Sequence, residues 1–336
     1  HRHRSGRPAR GLAVAMVLTA SLAAAVVIAG PVVPTASAAA GPVSRAAPYL
    51  TLGWGSPQSP PAIMAATGIH DFTLAFIGAG RGCDPLWDGT RSLLGGTDAA
   101  SITAIRAAGG DVSVSFGGWS GRKLGSVCRT PAALAAAYGH VVSAYGLRAI
   151  DIDIEHGEFT SARTRVRVIA ALGILQSAYP NLEITVTFGT DPNGPSPAGA
   201  SLIADAASIG FQPFAWTVMP FDFGVPVSDM GATSVAAAEG LHATLMAAYG
   251  ESSSTAYVHM GISTMNGKTD EADETVGSGD FLAMLAYSRN NHLARLTFWM
   301  VNRDRPCPPG LVAGNTCSGI AQTAGEFTAL DTGFVG

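Results

Sequence analysis

Along the chain, short apolar runs rich in β-branched residues alternate with longer Ala-rich stretches in a steady rhythm. The runs YLTLGW (49–54), FTLAFI (72–77), VSVSF (112–116), AIDIDI (149–154), EITVTF (183–188), FAWTVMPF (214–221), AYVHMGI (256–262) and LTFWMV (296–301) predict strands. Helices are predicted near 60–67, 97–108, 131–145, 160–178, 197–209, 232–249 and 279–291, with a last one near 319–330. In 160–178, Val166, Ile169, Ala170 and Gly173 fall at i, i+3, i+4 and i+7, while Arg163, Arg165 and Arg167 sit off that stripe. Eight strands each followed by a helix predict a parallel sheet covered by helices. Eight such units in this length suit an α/β fold closed into a single-domain (β/α)8 TIM barrel better than an open sheet.

Composition divides the chain. Of its 336 residues 47% are hydrophobic and only 13% charged, against about 25% charged in an average domain, which excludes a disordered charged tail. Residues 1–10, HRHRSGRPAR, hold four Arg and no acid; an apolar stretch runs to Gly30, and Ala36-Ser37-Ala38 has the small-x-small form of a cleavage site. That order predicts a secretory signal over 1–38, a short linker over 39–46 and the barrel over 47–336. A membrane anchor is the alternative, because the apolar run is near the ~18 residues that span a bilayer; Pro31 and Pro34, following at once, favour cleavage. Loss of 1–38 takes the net charge from −4 to −8. The exported protein is expected to be extracellular, free of the membrane and monomeric. With no basic stripe in it, nucleic acid is not an expected partner.

Export to an oxidising compartment makes disulfides the expected state of Cys83, Cys128, Cys307 and Cys317, whose spacing matches no zinc pattern. Of three connectivities, Cys307 with Cys317 and Cys83 with Cys128 is favoured; free buried thiols are the alternative. Gly78-Ala79-Gly80 hints at a dinucleotide loop, but Cys83 and the sequence DPLWDG follow in place of a helix. Neither G-x-S-x-G nor H-E-x-x-H occurs, and the six His after the signal lack metal-like spacing. No cofactor and no metal are expected.

The residues that carry chemistry are Asp151-Ile152-Asp153-Ile154-Glu155. On a strand, Asp151, Asp153 and Glu155 share one face at intervals of about 6.7 Å, and Ile150, Ile152 and Ile154 share the other. In a parallel barrel the isoleucines would face the helices and the carboxylates the interior. Three acids enclosed there repel one another and lose hydration, so at least one should keep a proton near neutral pH. Two alternatives remain at this point: a solvated acidic edge strand, which would need an antiparallel context, and a divalent-metal site, for which only one short carboxylate row is obvious.

This row resembles the D-x-x-D-x-D-x-E signature of family 18 glycoside hydrolases, the chitinase family. Ser115-Phe116-Gly117-Gly118 is similar to its S-x-G-G motif, Met219-Pro220-Phe221-Asp222 to its M-x-x-D segment, and Phe298-Trp299 with Asn302-Arg303-Asp304 to the last-strand segment of bacterial chitinases. The resemblance spans about 47–331, with the motifs in family order. It implies a secreted chitinase acting on chitin or N-acetylglucosamine oligosaccharides by a retaining mechanism in which the substrate's own 2-acetamido group attacks the anomeric carbon. Under it Glu155 is the acid and later the base, Asp153 orients the acetamido group, and Asp151 shares a proton with Asp153. Trp299 floors the sugar, Met219, Phe221 and Asp222 contact it, Trp119 and Trp54 are candidates for stacking flanking sugars, and Ser115 supports the site. Two departures stand out. Arg148 occupies the first Asp of the signature, which puts proton tuning in question, and Phe221 and Phe223 stand where many members place a Tyr that holds the acetamido oxygen. An endo-β-N-acetylglucosaminidase and a non-catalytic chitin-binding or inhibitor protein are the alternatives within the same barrel.

Overall fold

The structure, a computed structural model, describes residues 41–334, so the expected signal at 1–38 lies outside the described residues. Eight strands lie side by side in chain order: β1 (Tyr49–Thr51), β2 (Phe72–Ala79), β3 (Val112–Gly117), β4 (Ala149–Asp153), β5 (Glu183–Gly189), β6 (Ala215–Met219), β7 (Met260–Met265) and β8 (Arg295–Trp299). All seven pairings between successive strands are parallel. At the seam between β8 and β1 the Leu296 N–H donates to the Arg45 carbonyl at 3.0 Å. The Asn302 side chain bridges the same seam, accepting from the Thr51 N–H at 3.0 Å and donating to the Thr51 carbonyl at 2.9 Å. The result is the expected TIM barrel.

A helix follows each strand: α1 (Pro60–Thr67), α2 (Gly96–Ala107), α3 (Pro131–Tyr145), α4 (Ala162–Ala178), α5 (Pro197–Ser208), α6 (Met230–Tyr249), α7 (Ser278–Asn290) and α8 (Glu326–Asp331). Their ends follow from local chemistry. Thr130, Ser161, Ser196 and Asp229 accept a first-turn N–H of α3, α4, α5 and α6. Pro opens α1, α3 and α5, where its missing N–H costs nothing, and left-handed Gly146 and Gly250 close α3 and α6.

Strand alternation sorts the side chains as expected. Ile150, Ile152 and Ile154 join Leu74, Val114, Val186 and Val218 in the main hydrophobic core between strands and helices. The interior is polar: Thr73, Ser113, Ser115, Asp151, Asp153, Thr185, Thr187, Thr217, Ser263 and Thr297 are all buried there with Arg295. The Arg295 guanidinium donates to Thr73 Oγ1 at 3.0 Å and lies 5.6 Å from the centre of the Tyr49 ring. Both disulfides have the favoured pairing, Cys83–Cys128 and Cys307–Cys317.

Four local expectations are corrected. The seventh strand is 260–265 rather than 256–262, because Ser252 caps a one-turn helix over Ser253–Tyr257 by accepting the Thr255 N–H. The last helix covers only Glu326–Asp331, starting after left-handed Gly325. Helix α4 forms, but its buried face is Thr164, Arg165, Val168, Ile169, Ala171, Leu172 and Leu175, and Val166 is 52% exposed. Arg165 reaches the buried side because its guanidinium donates to the Phe159 carbonyl at 2.5 Å. Finally, the linker expectation does not describe 42–46: Val43 and Ser44 are buried, and their N–H groups donate to the Glu183 carboxylate at 3.2 and 3.0 Å.

Candidate active site

The register of β4 places Asp151 opposite Ser115 and Thr185, and Asp153 opposite Gly117 and Thr187. Asp151 is fully buried and held by three hydroxyls: Tyr49 at 2.8 Å and Ser115 at 2.6 Å donate to Oδ2, and Thr187 at 2.6 Å donates to Oδ1. One turn of the pleat higher, Asp153 is 3% exposed, and its Oδ1 has no hydrogen-bond partner among the described residues. Glu155 lies just beyond the strand, where the chain turns into the short helix His156–Thr160 through His156 at φ 50°.

Burial dominates the acid–base behaviour of this row. It pushes Asp153 well above the ordinary carboxylate range, with repulsion from Glu155 and Asp151 adding to it. It pushes Glu155 up to about 7; the Lys123 ammonium opposes the shift, and Asp222 and Asp270 add to it. Glu155 therefore carries its proton at mildly acidic pH, as a general acid needs.

The glycine pair has a steric cause. Gly117 has φ 108°, and a Cβ on it would lie 2.0 Å from the Asp153 carbonyl oxygen. A Cβ on Gly118 would lie 2.5 Å from the Phe76 ring, and the Gly118 N–H donates to the Asp153 carbonyl at 2.9 Å. The turn after β3 thus passes as close to the carboxylate strand as backbone can.

Above the row, at the C-terminal ends of the strands, opens a cleft of about 900 Å³. One wall is aromatic. Trp299 stacks on Phe76 with centroids 5.4 Å apart and 14° between planes, and Tyr49 and Trp54 lie 5.7 and 5.9 Å from it. Trp54 Nε1 donates to Asp88 Oδ1 at 3.3 Å, and Arg91 pairs with the other oxygen of that carboxylate at 2.5 Å. Elsewhere Met219, Phe221 and Asp222 line it. Asp222 Oδ1 accepts the N–H groups of Asp270 and Glu271 at 2.9 and 3.2 Å, and buried Glu274 accepts those of Asp222 and Phe223 at 2.6 and 2.9 Å. Trp119 is 67% exposed at the cleft and meets the His156 ring edge to face.

Of the residues singled out from sequence, Glu155, Asp153, Trp299, Asp222, Met219, Phe221, Trp119 and Trp54 line this one cleft. Asp151 and Ser115 are bonded to each other and are not among its lining residues. Arg148 is elsewhere: it precedes β4 and pairs with Asp111 at 2.9 Å, so the substitution in the signature does not touch the Asp151 carboxylate. Phe76 and Asp88 also line the cleft, Lys123 and Glu158 lie buried against the glycine turn beside Asp153, and none of the four was foreseen. Phe76 is hidden inside an ordinary strand pattern, and the other three are single charged residues whose meeting only the fold creates. Among the described residues no group of three or more His, Cys, Asp or Glu side chains is arranged to hold a metal ion.

No protein-family model matches the chain. It is 24% identical over 276 residues to a probable bifunctional chitinase/lysozyme of Escherichia coli (strain K12), covering 77% of this chain and 31% of that protein. It is 24% identical over 275 residues to Endochitinase 11 of Metarhizium anisopliae, covering 77% of this chain and 52% of that one. The chain thus spans between about a third and a half of the length of these relatives. Among solved structures, the catalytic domain of a hyperthermophilic chitinase from Pyrococcus furiosus superposes with a TM-score of 0.78 at 26% identity, over 88% of this chain and 95% of that domain.

Proposed function

We propose that this chain is an exported chitinase of glycoside hydrolase family 18, cleaving β-1,4 linkages between N-acetylglucosamine units with retention at the anomeric carbon. The observation that carries the reading is the pairing of Asp153 Oδ1, a buried acceptor with no partner among the described residues, with Glu155, a carboxyl that holds its proton to about pH 7, at the base of one cleft. An acetamido N–H supplies the donor that Asp153 lacks. Its carbonyl oxygen is then turned onto the anomeric carbon and attacks as Glu155 passes its proton to the departing glycosidic oxygen. The positive oxazolinium that results sits over the Asp153 carboxylate. Water, deprotonated by Glu155, opens it and restores the acid. Asp151, fixed by three hydroxyls, is the buried neighbour whose charge helps to keep the proton on Asp153. The aromatic wall of Trp299, Phe76 and Trp54 supplies flat apolar faces for sugar rings.

Glu155→Gln keeps the shape of the acid and removes its proton, so hydrolysis of chitin oligosaccharides should fall by about 10³-fold with binding retained. Product analysis by chromatography and NMR reports the bond cut and the anomer released. Equal hydrolysis by parent and variant overturns the assignment of Glu155, and binding without hydrolysis by the parent overturns the enzyme. Residues 1–38 are proposed to direct export; mass spectrometry of the protein recovered from culture medium reads the cleavage point.

A further inference from the structure

Lys123 follows β3 by six residues and is 7% exposed. Its amine donates to the carbonyls of Gly117 at 3.2 Å, Ser120 at 2.6 Å and Gly118, so each of the three donors of an ammonium has an acceptor. Two of those carbonyls belong to the glycine turn, whose Gly118 N–H holds the Asp153 carbonyl. Glu158 completes the group. It lies in the short helix after Glu155, is 4% exposed and accepts backbone N–H groups of Gly125 and Ser126. Its Oε2 would be 3.6 Å from a Cβ on Gly117. Enclosing an ammonium and an ionisable carboxyl costs more than apolar packing of the same volume, so stability alone does not account for the two groups.

We propose that Lys123 is a positioning residue for the hydrolysis: its buried ammonium pins the glycine turn to the catalytic strand and holds a positive charge beside Asp153 and Glu155, with the Glu158 carboxyl enclosed next to it. The inference rests on Glu155 being the acid described above. The charges around it are specific. Lys123 faces Glu158, Glu155 and Asp153. Glu155 also faces Asp222 at the end of β6 and Asp270 in the loop after β7, and Asp153 faces Asp151 and Glu158. The neighbouring Arg122, which also lines the cleft, donates its guanidinium to the Gly80 carbonyl. Lys123 therefore opposes what burial and the two aspartates do to Glu155, lowering the pH at which the acid is lost.

The test is the pH dependence of kcat/KM on a soluble chitin oligosaccharide. Lys123→Met should move the basic limb up by roughly 0.5–1 pH unit, the low end of what one nearby opposite charge does, and Lys123→Arg should restore it. Glu158→Gln, a change in the same pocket that leaves the groups acting on Glu155 in place, should leave the limb where the parent has it. A displacement confined to loss of the positive charge is a signature that a merely structural role does not produce. A Lys123→Met profile that superimposes on the parent, or one displaced equally in Glu158→Gln, overturns the proposal. Should Lys123→Met fail to fold, Lys123→Gln is measured in its place and read by the same outcomes. Activity surviving in Glu155→Gln would instead remove the acid assignment, and the two failures are read in different variants.

Discussion

Trp54 shows how one side chain is held ready at the mouth of a cleft. An indole at the mouth of a cleft has an apolar body and one donor, and it stays aimed only if that donor is satisfied on the correct side. Asp88 does this by accepting Nε1, and Arg91, bonded also to Asp98 at 2.8 Å, keeps the Asp88 carboxylate in place. Under the proposed function, stacking on this ring would act on bound sugar in ground state and transition state alike, so its loss would appear in KM. Trp54→Ala should raise KM for chitin oligosaccharides by about 3–10-fold with kcat nearly unchanged. Asp88→Ala, which leaves the ring present but unaimed, should raise KM by a smaller factor. Steady-state kinetics on a single oligosaccharide checks both; a fall in kcat with constant KM would place Trp54 in the chemistry instead. Phe221 illustrates the opposite case. It lines the cleft with no hydroxyl to offer, so whatever it contributes to sugar binding is shape and apolar contact.

At the scale of elements, the turn that ends β3 governs the site more than any helix does. Its two glycines let backbone approach Asp153 and Phe76 at distances no side chain permits. Gly117→Ala combines a positive φ with a Cβ on the Asp153 carbonyl, and should cost on the order of 3 kcal/mol of stability. Gly279→Ala is the control. That residue lies in the first turn of α7 with open space around it and ordinary φ, so alanine there should be neutral or stabilise by up to about 1 kcal/mol. Denaturant unfolding of the two variants measures the contrast, and equal stabilities would mean that the turn can relax. The same elements show what sequence could and could not tell. Most strand positions and the inward row Asp151-Asp153-Glu155 were readable because a polar barrel interior imposes a period of two that the Ile and Asp of β4 obey; the period slips in β2, where the register shifts between Leu74 and Ile77. The phase of α4 was not readable. Alanine suits either face of a helix, and the usual marker of the wet face failed when Arg165 buried its stem and bonded a carbonyl. Lys123 and Asp88 were equally hidden. Each is an ordinary charge on a loop, and its meaning depends on which strand end that loop crosses.

The molecule as a whole stores protons. Asp71 and Glu158 are pushed up by burial to about 6 and 7, Glu155 stands at about 7, and burial drives Asp153 and Asp331 upward as well. In each case the folded state holds its proton more tightly than the unfolded chain, whose carboxyls titrate near 4. Below that value both states are protonated and the groups make no difference. Between about pH 4 and 7 the unfolded chain has released protons that the folded protein keeps, so unfolding becomes progressively easier as pH rises, and the loss levels off once the folded groups ionise too. Asp111 runs the other way, held below the usual range by Arg106 and Arg148, but its contribution is lost only as pH falls below about 4. The expected outcome is a melting temperature that peaks in the mildly acidic range and declines by several degrees toward pH 8. Calorimetry across pH 4–8 measures it, and Glu158→Gln, which cannot ionise, should flatten the decline. A melting temperature that rises steadily to pH 8 would mean that these carboxyls are hydrated in the folded protein. The loss of stability toward neutral pH and the protonated state of Glu155 then share one cause, the enclosure of carboxyls in the folded protein.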